Sequence, residues 1–300
     1  MFTDKLNNII IWGHKLHTHT HSYIHYGFHK AFTHLGYKCF WIDETDDIDD
    51  INFENSLIIT EGQTDNNIPI CKNAYYVLHN CDGTRYKDIP KKNKINLQVY
   101  TKDCTEKYNA KPLPNEHGFY LDDCIIIYWG TDLLPYEINT NILRFTTVEV
   151  KKEINFVGMP TAPWDNVKKY CIDNNIKYNN YGGFNKDTNV SCKDNMKLIQ
   201  KSIIAPSFQE KWQVENHYVP CRIFKNISYG KMGITNNPYV NKIFNKKLIY
   251  GNNIDTLIDE GIKFNNKEKI IELMKEVRDN HTYLNRINAI FWLLNRINNT

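Results

Sequence analysis

The sequence predicts an α/β protein in which the βαβ pattern runs through the chain twice. Three observations carry this. Asn8-Ile-Ile-Ile-Trp-Gly13 is an apolar run of strand length that ends on glycine and is followed by a loop and a helical pattern. Ile154-Asn-Phe-Val-Gly158 repeats that opening. Short apolar runs rich in Ile, Val and Tyr recur after each start, at the length expected of strands buried on both faces of a parallel sheet. The expected architecture is therefore two Rossmann-like domains facing across a cleft. Residues 1–148 form the first and residues 149–283 the second. The last stretch, 284–300, reads as a terminal helix.

The elements follow in order. After the first strand comes a histidine-rich loop, His14 to His21, with Ser22 as helix N-cap. Tyr23, Tyr26, Phe28, Ala31, Phe32 and Leu35 recur at helical spacing up to Gly36, which supplies the stop. Tyr37–Ile42 reads as the second strand. Further strands are expected at 56–60, 74–78, 95–100 and 124–128, with weak helix signals between them. The loops that follow carry Glu61, His79-Asn-Cys-Asp82 and Trp129-Gly-Thr-Asp132. Pro135 to Thr147 reads as the crossing into the second domain. There the expectation is strand 154–158, helix 165–174, strand 176–181, helix 192–201 and strand 202–208. The tail is helical at 267–277 and 281–297, with an apolar stripe of Leu284, Ile287, Ile290, Phe291, Leu294 and Ile297.

Composition narrows the function. Three hundred residues with 41% hydrophobic and 13% aromatic content can bury substantial cores. A net charge of +3 gives no global field toward nucleic acid or a membrane surface, and neither is expected as a partner. The apolar run near Met1 is too short for a signal-peptide core, and no run is long enough to span a bilayer. A cytoplasmic protein is expected. The 8 cysteines form no C-x-x-C pair and read as reduced, buried thiols.

The most informative stretch lies late. Pro220 sits where a first helical turn tolerates proline, Ile223 and Ile227 share an apolar face, and Gly230 ends the helix. Arg222 then lies in the first turn, where free N–H groups and a guanidinium make an anion site. Pro206-Ser-x-x-Glu210, followed by Arg222-Ile-Phe-Lys-Asn-Ile-Ser-Tyr-Gly230, resembles the donor-binding stretch of GT-B glycosyltransferases of the family 1/4 type. In that family a Pro-, Ser- and Glu-rich loop precedes a helix of the form Arg-x-Phe-Glu-x-x-x-x-Gly; here Lys225 stands where the family has its helix Glu. The resemblance implies transfer of a sugar from a UDP- or GDP-linked donor to a hydroxyl of a glycan, lipid or protein acceptor. It implies Gly13, Gly158, Ser207, Glu210, Arg222, Lys225 and Asn237 on the donor side, and a C-terminal helix, 284–300, that crosses back to pack on the first domain. No cofactor is expected, since Arg222 and Lys225 offset the diphosphate charge that a metal would otherwise neutralise.

On the acceptor side His14, His19, Asp82 and Asp132 are the candidates for proton transfer, each placed after a strand-like run. The histidine loop supports a second reading. Leu16-His-Thr-His19 is similar to the start of metal-dependent hydrolases and phosphoesterases, where alternate residues of an extended segment aim two imidazoles at one ion. Those families need further ligands spread along the chain, with more histidines and a late Asp-x-His. Asp47-Ile-Asp49 matches a metal-binding Asp-x-Asp, inside an acidic run that also reads as a solvated loop. Because Lys225 breaks the family pattern, a nucleotide-sugar-binding protein without turnover is the third reading.

Overall fold

The computed structural model describes residues 6–15, 20–114, 117–145, 148–182 and 189–299. It is a mixed α/β protein. The chain divides into two compact units, one formed by the segment around the first strand, His21–Tyr128 and the segment from Tyr283 onward, the other by Trp129–Thr282.

In chain order the first unit contains β1 (Ile9–Trp12), α1 (Thr20–His34), β2 (Cys39–Ile42), β3 (Leu57–Glu61), β4 (Tyr75–His79) and β5 (Lys94–Gln98). These are followed by α2 (Lys102–Glu106), β6 (Lys111–Pro112), β7 (Phe119–Leu121) and β8 (Cys124–Ile126). The eight strands form one sheet in the order β2-β1-β3-β4-β5-β8-β7-β6, parallel from β2 to β8 and antiparallel across the last two pairs. Ile9, Ile10 and Ile11 are fully buried because β1 has a neighbour on each side and a covered face above and below. The chain leaves β1 for β2 on one side and returns to β3 on the other. The carboxyl ends of β1 and β3 therefore flank a topological switch point, the place where open α/β sheets leave a crevice.

Two expectations are corrected here. Ser22 does not cap α1; it lies inside the helix, buried, with no hydrogen-bond partner for its hydroxyl. The short antiparallel strands β6 and β7 were not foreseen. The weak helix signals between β2 and β5 have a simple cause: these connections are turns and one short 3-10 turn at Lys91–Asn93.

The second unit contains α3 (Pro135–Arg144), β9 (Glu153–Val157), α4 (Ala162–Asp173), β10 (Lys177–Tyr181), α5 (Cys192–Lys201), α6 (Lys211–Glu215) and α7 (Cys221–Ser228). Then come β11 (Ile234–Thr235), α8 (Pro238–Ile243), β12 (Ile249–Tyr250), α9 (Ile254–Lys263) and α10 (Lys267–Asn280). β9 pairs with β10 and β11 with β12, both parallel. The strand expected at 202–208 is not one. Pro206 has no N–H to give, and the segment makes only scattered ladder bonds: Ile203 N donates to Glu153 O at 2.8 Å and Ser207 N to Ile234 O at 2.9 Å. It still runs between β9 and β11 and fills the core with Ile204 and Phe208, packed on Phe156, Trp164 and Ile234. Pro220 is the residue before α7, in extended conformation, so Cys221 opens the helix.

The chain closes with α11 (Tyr283–Asn299), which belongs to the first unit. Phe291 packs on Phe32 of α1 with ring centres 5.9 Å apart, Trp292 on Tyr120 at 4.8 Å, and Arg286 Nε donates to Tyr128 O at 2.6 Å. Among the described residues no helix is long and apolar enough to cross a membrane. All eight cysteines are free.

Candidate functional site

In the second unit the sequence-predicted donor residues fall into two groups. Gly158 follows β9 with φ of 139°, and its N–H donates to Tyr181 O at 2.8 Å. Arg222, in the first turn of α7, reaches back to the same corner and donates from Nη2 to Val157 O at 3.4 Å. Its guanidinium lies 4.4 Å from the Phe156 ring centre and 5.8 Å from that of Trp164. A β-carbon on residue 158 would stand 2.7 Å from Arg222 Nη2, so the glycine leaves room for the cation. Lys225, one turn further, is nearly buried. Cys221, the residue before Arg222, has its thiol pKa raised by burial, against the pull of Lys225 and Arg222.

The second group is the loop that precedes α6. Asn237 caps α8, its Oδ1 accepting from Tyr239 N at 2.8 Å, and its Nδ2 donates to Gln209 Oε1 at 2.9 Å. Ser207 O accepts from Thr235 Oγ1, and the Ser207 hydroxyl is buried without a hydrogen-bond partner. Glu210 is the residue before α6; its carboxylate accepts from Trp212 Nε1 at 2.6 Å and edges a surface groove of about 700 Å³ lined also by Pro163, Asn166, Asn236 and Ile254. A guanidinium in the first turn of α7, a lysine one turn on, a glycine corner and an acid on a groove can hold an anionic ligand that also carries hydroxyls.

The acceptor-side candidates are divided between the two units. Asp82 is fully exposed and caps its own turn, accepting from Thr84 N at 2.9 Å and Thr84 Oγ1 at 2.8 Å, bonds that hold its pKa below the ordinary aspartate value. Asp132 is buried in the second unit, not the first, and accepts from Tyr229 Oη at 2.6 Å. His19 lies outside the described residues, as does His17. Gly13, with φ of 91°, belongs to the first unit, its carbonyl accepting from His25 Nδ1 and Trp41 Nε1, each at 2.9 Å.

His14 sits in a cluster that the sequence did not assemble. It follows Gly13 in left-handed conformation, φ 58°, and its Nε2 donates to Glu61 Oε2 at 2.9 Å. Glu61 ends β3 and also accepts from Gln63 N at 3.0 Å. Burial opposes ionisation of Glu61, but the bonds from His14 and Gln63 outweigh it and keep the carboxyl below the usual glutamate value. His21 and His25, one helical turn apart on α1, lie with ring centres 5.2 Å from His14, and His79 at the end of β4 is 5.5 Å from His21. Burial drives the His25 pKa down to about 3 and lowers that of His79. Glu61 and His79 each end a strand-like run, which was the available signal; their meeting with His14 depends on strand order.

No family model matches the sequence, and no curated protein matches it. Solved structures do. An "alpha-glucosyltransferase in complex with UDP-glucose and DNA containing an abasic site" aligns with TM-score 0.58 and 7% identity over 97% of this chain and 98% of that one. An "alpha-glucosyltransferase in complex with UDP and a 13-mer DNA containing a HMU base" aligns with TM-score 0.56 and 8% identity over 96% and 99%. An α-glucosyltransferase with UDP alone gives 0.52 and 7% over 97% and 99%. The chain has the fold of these glucosyltransferases. That agrees with the GT-B expectation over nearly the whole length, at an identity that speaks to fold only. It corrects one expectation: two of these neighbours hold DNA, so the modest net charge was no ground for excluding nucleic acid.

Proposed function

We propose that the protein is a GT-B glycosyltransferase that moves a sugar, with glucose the first candidate, from a UDP-linked donor to an acceptor hydroxyl. The observation that carries this is Arg222, stacked on Phe156 at the start of α7 against Gly158, in a chain with the fold of UDP-binding glucosyltransferases. In this reading Arg222 and Lys225 face the diphosphate and stabilise the leaving group without a metal. Glu210 contacts donor hydroxyls from the edge of its groove, and Ser207 and Asn237 shape the loop beneath. A hydroxyl on nucleic acid is the acceptor to test first, as two neighbours bind DNA.

The test has two arms. In EDTA, UDP at about 100 times its dissociation constant stabilises the protein by about 2.7 kcal/mol, a rise of several degrees in Tm. Labelled UDP-glucose then transfers label to DNA carrying HMU bases and not to unmodified DNA. Absence of a shift with every nucleoside diphosphate, together with absence of transfer from any nucleotide-sugar, would rule the reading out.

A further inference from the structure

We propose that His14, His21 and Glu61, all in the first unit, bind a divalent transition-metal ion of the zinc class. One ligand atom from each of the three residues can be chosen so that all lie within 4.8 Å of one another. With zinc–nitrogen bonds of about 2.0–2.1 Å, tetrahedral ligands stand roughly 3.4 Å apart, so side-chain rotations of about an ångström close the set. His14 Nε2 and Glu61 Oε2 already stand at 2.9 Å. The ion takes the place of the proton now shared between them.

The three ligands come from three elements: the loop after β1, the first turn of α1 and the end of β3. The parallel register of β1 on β3, with Ile11 opposite Ile59, brings the first and third together. His14 adopts a left-handed conformation that non-glycine residues seldom hold, and it does so where its ring meets Glu61. The Gln63 amide donates to the same carboxylate oxygen, Oε2, that meets His14, and the rings of His25 and His79 wall the site. Two imidazoles and one carboxylate suit zinc, cobalt, nickel or copper above magnesium or calcium, and three protein ligands leave a coordination position for water or a ligand oxygen.

The experiment uses the untagged full chain, stripped with chelator and titrated with Co²⁺ and Zn²⁺. The expected result is one ion per chain, a visible Co²⁺ spectrum without a thiolate charge-transfer band, and X-ray absorption of the zinc form with nitrogen and oxygen neighbours only. His21→Gln and Glu61→Gln each weaken affinity by about 100-fold or more. Sub-stoichiometric binding, a sulfur shell, or variants that bind like wild type would overturn the proposal. The absorption measurement needs wild-type protein alone, so it decides the matter even where a variant fails to fold.

Discussion

The guanidinium of Arg222 lies 4.4 Å from the centre of the Phe156 ring, with Gly158 only two residues further along the chain. The aromatic ring that ends the β9 core thus orients the cation, and the glycine keeps its corner open. A charge held by packing in this way is preorganised: it needs no rearrangement when a diphosphate leaves.

Arg222→Ala is expected to lower sugar transfer by about 100-fold or more. Arg222→Lys retains the charge but loses the planar fork and the stack, and falls nearer to alanine than to wild type. Steady-state kinetics with a UDP-sugar reads both; an alanine variant as active as wild type removes Arg222 from the mechanism.

Gly158→Ala places a methyl 2.7 Å from Arg222 Nη2 on a backbone with φ of 139°. The cation must shift or the corner must open. UDP affinity is expected to fall by about 10-fold or more, corresponding to about 1.4 kcal/mol, with a lower Tm. Isothermal titration checks it, and unchanged affinity would mean that the corner does not face the ligand.

Gly27 lies in α1, where alanine would ordinarily add up to about 1 kcal/mol. Here the added β-carbon would stand 2.2 Å from the Tyr283 ring, so the sign reverses and Gly27→Ala destabilises. Adding Tyr283→Ala relieves the overlap and recovers part of the loss. Urea unfolding of the two variants measures the coupling; purely additive effects would refute the contact.

Lys231 is buried, its Nζ donating to Ser202 O, and burial lowers its pKa from 10.5 to about 8. Below about pH 8 the folded and unfolded states both carry the proton, and the fold bears the cost of a buried cation. Between about 8 and 10.5 the unfolded state holds the proton more tightly, so this lysine's contribution to stability rises with pH. The stability of Lys231→Met relative to wild type should therefore drop across that window, by on the order of 2–3 kcal/mol. Unfolding at a series of pH values checks the slope; a flat difference would contradict the burial of the charge.

How much of this could be read from the sequence depended on whether the signal was local. Ile9–Trp12, Glu153–Val157 and the helix from Cys221 are periodic or apolar within a few residues, and they form where expected. The run 202–208 looked like a strand because it is apolar and buried; Pro206 and the spacing of its bonds kept it from becoming one. Asp132 seemed to belong with the strand before it, but its partner Tyr229 lies far along the chain. The histidines were conspicuous, yet Glu61, the residue that gives His14 its chemistry, was only one acid among many until β3 was placed beside β1.

The first unit is discontinuous in sequence, since α11 supplies Phe291, Trp292 and Arg286 to it only after all of the second unit has been made. On the ribosome the order of completion is therefore inverted. The second unit has all its residues first, while β1 to β8 wait with α1 uncovered at Phe32 until α11 emerges. Vulnerability to nascent-chain proteases and demand for chaperones should accordingly concentrate on α1 and the strands beside it.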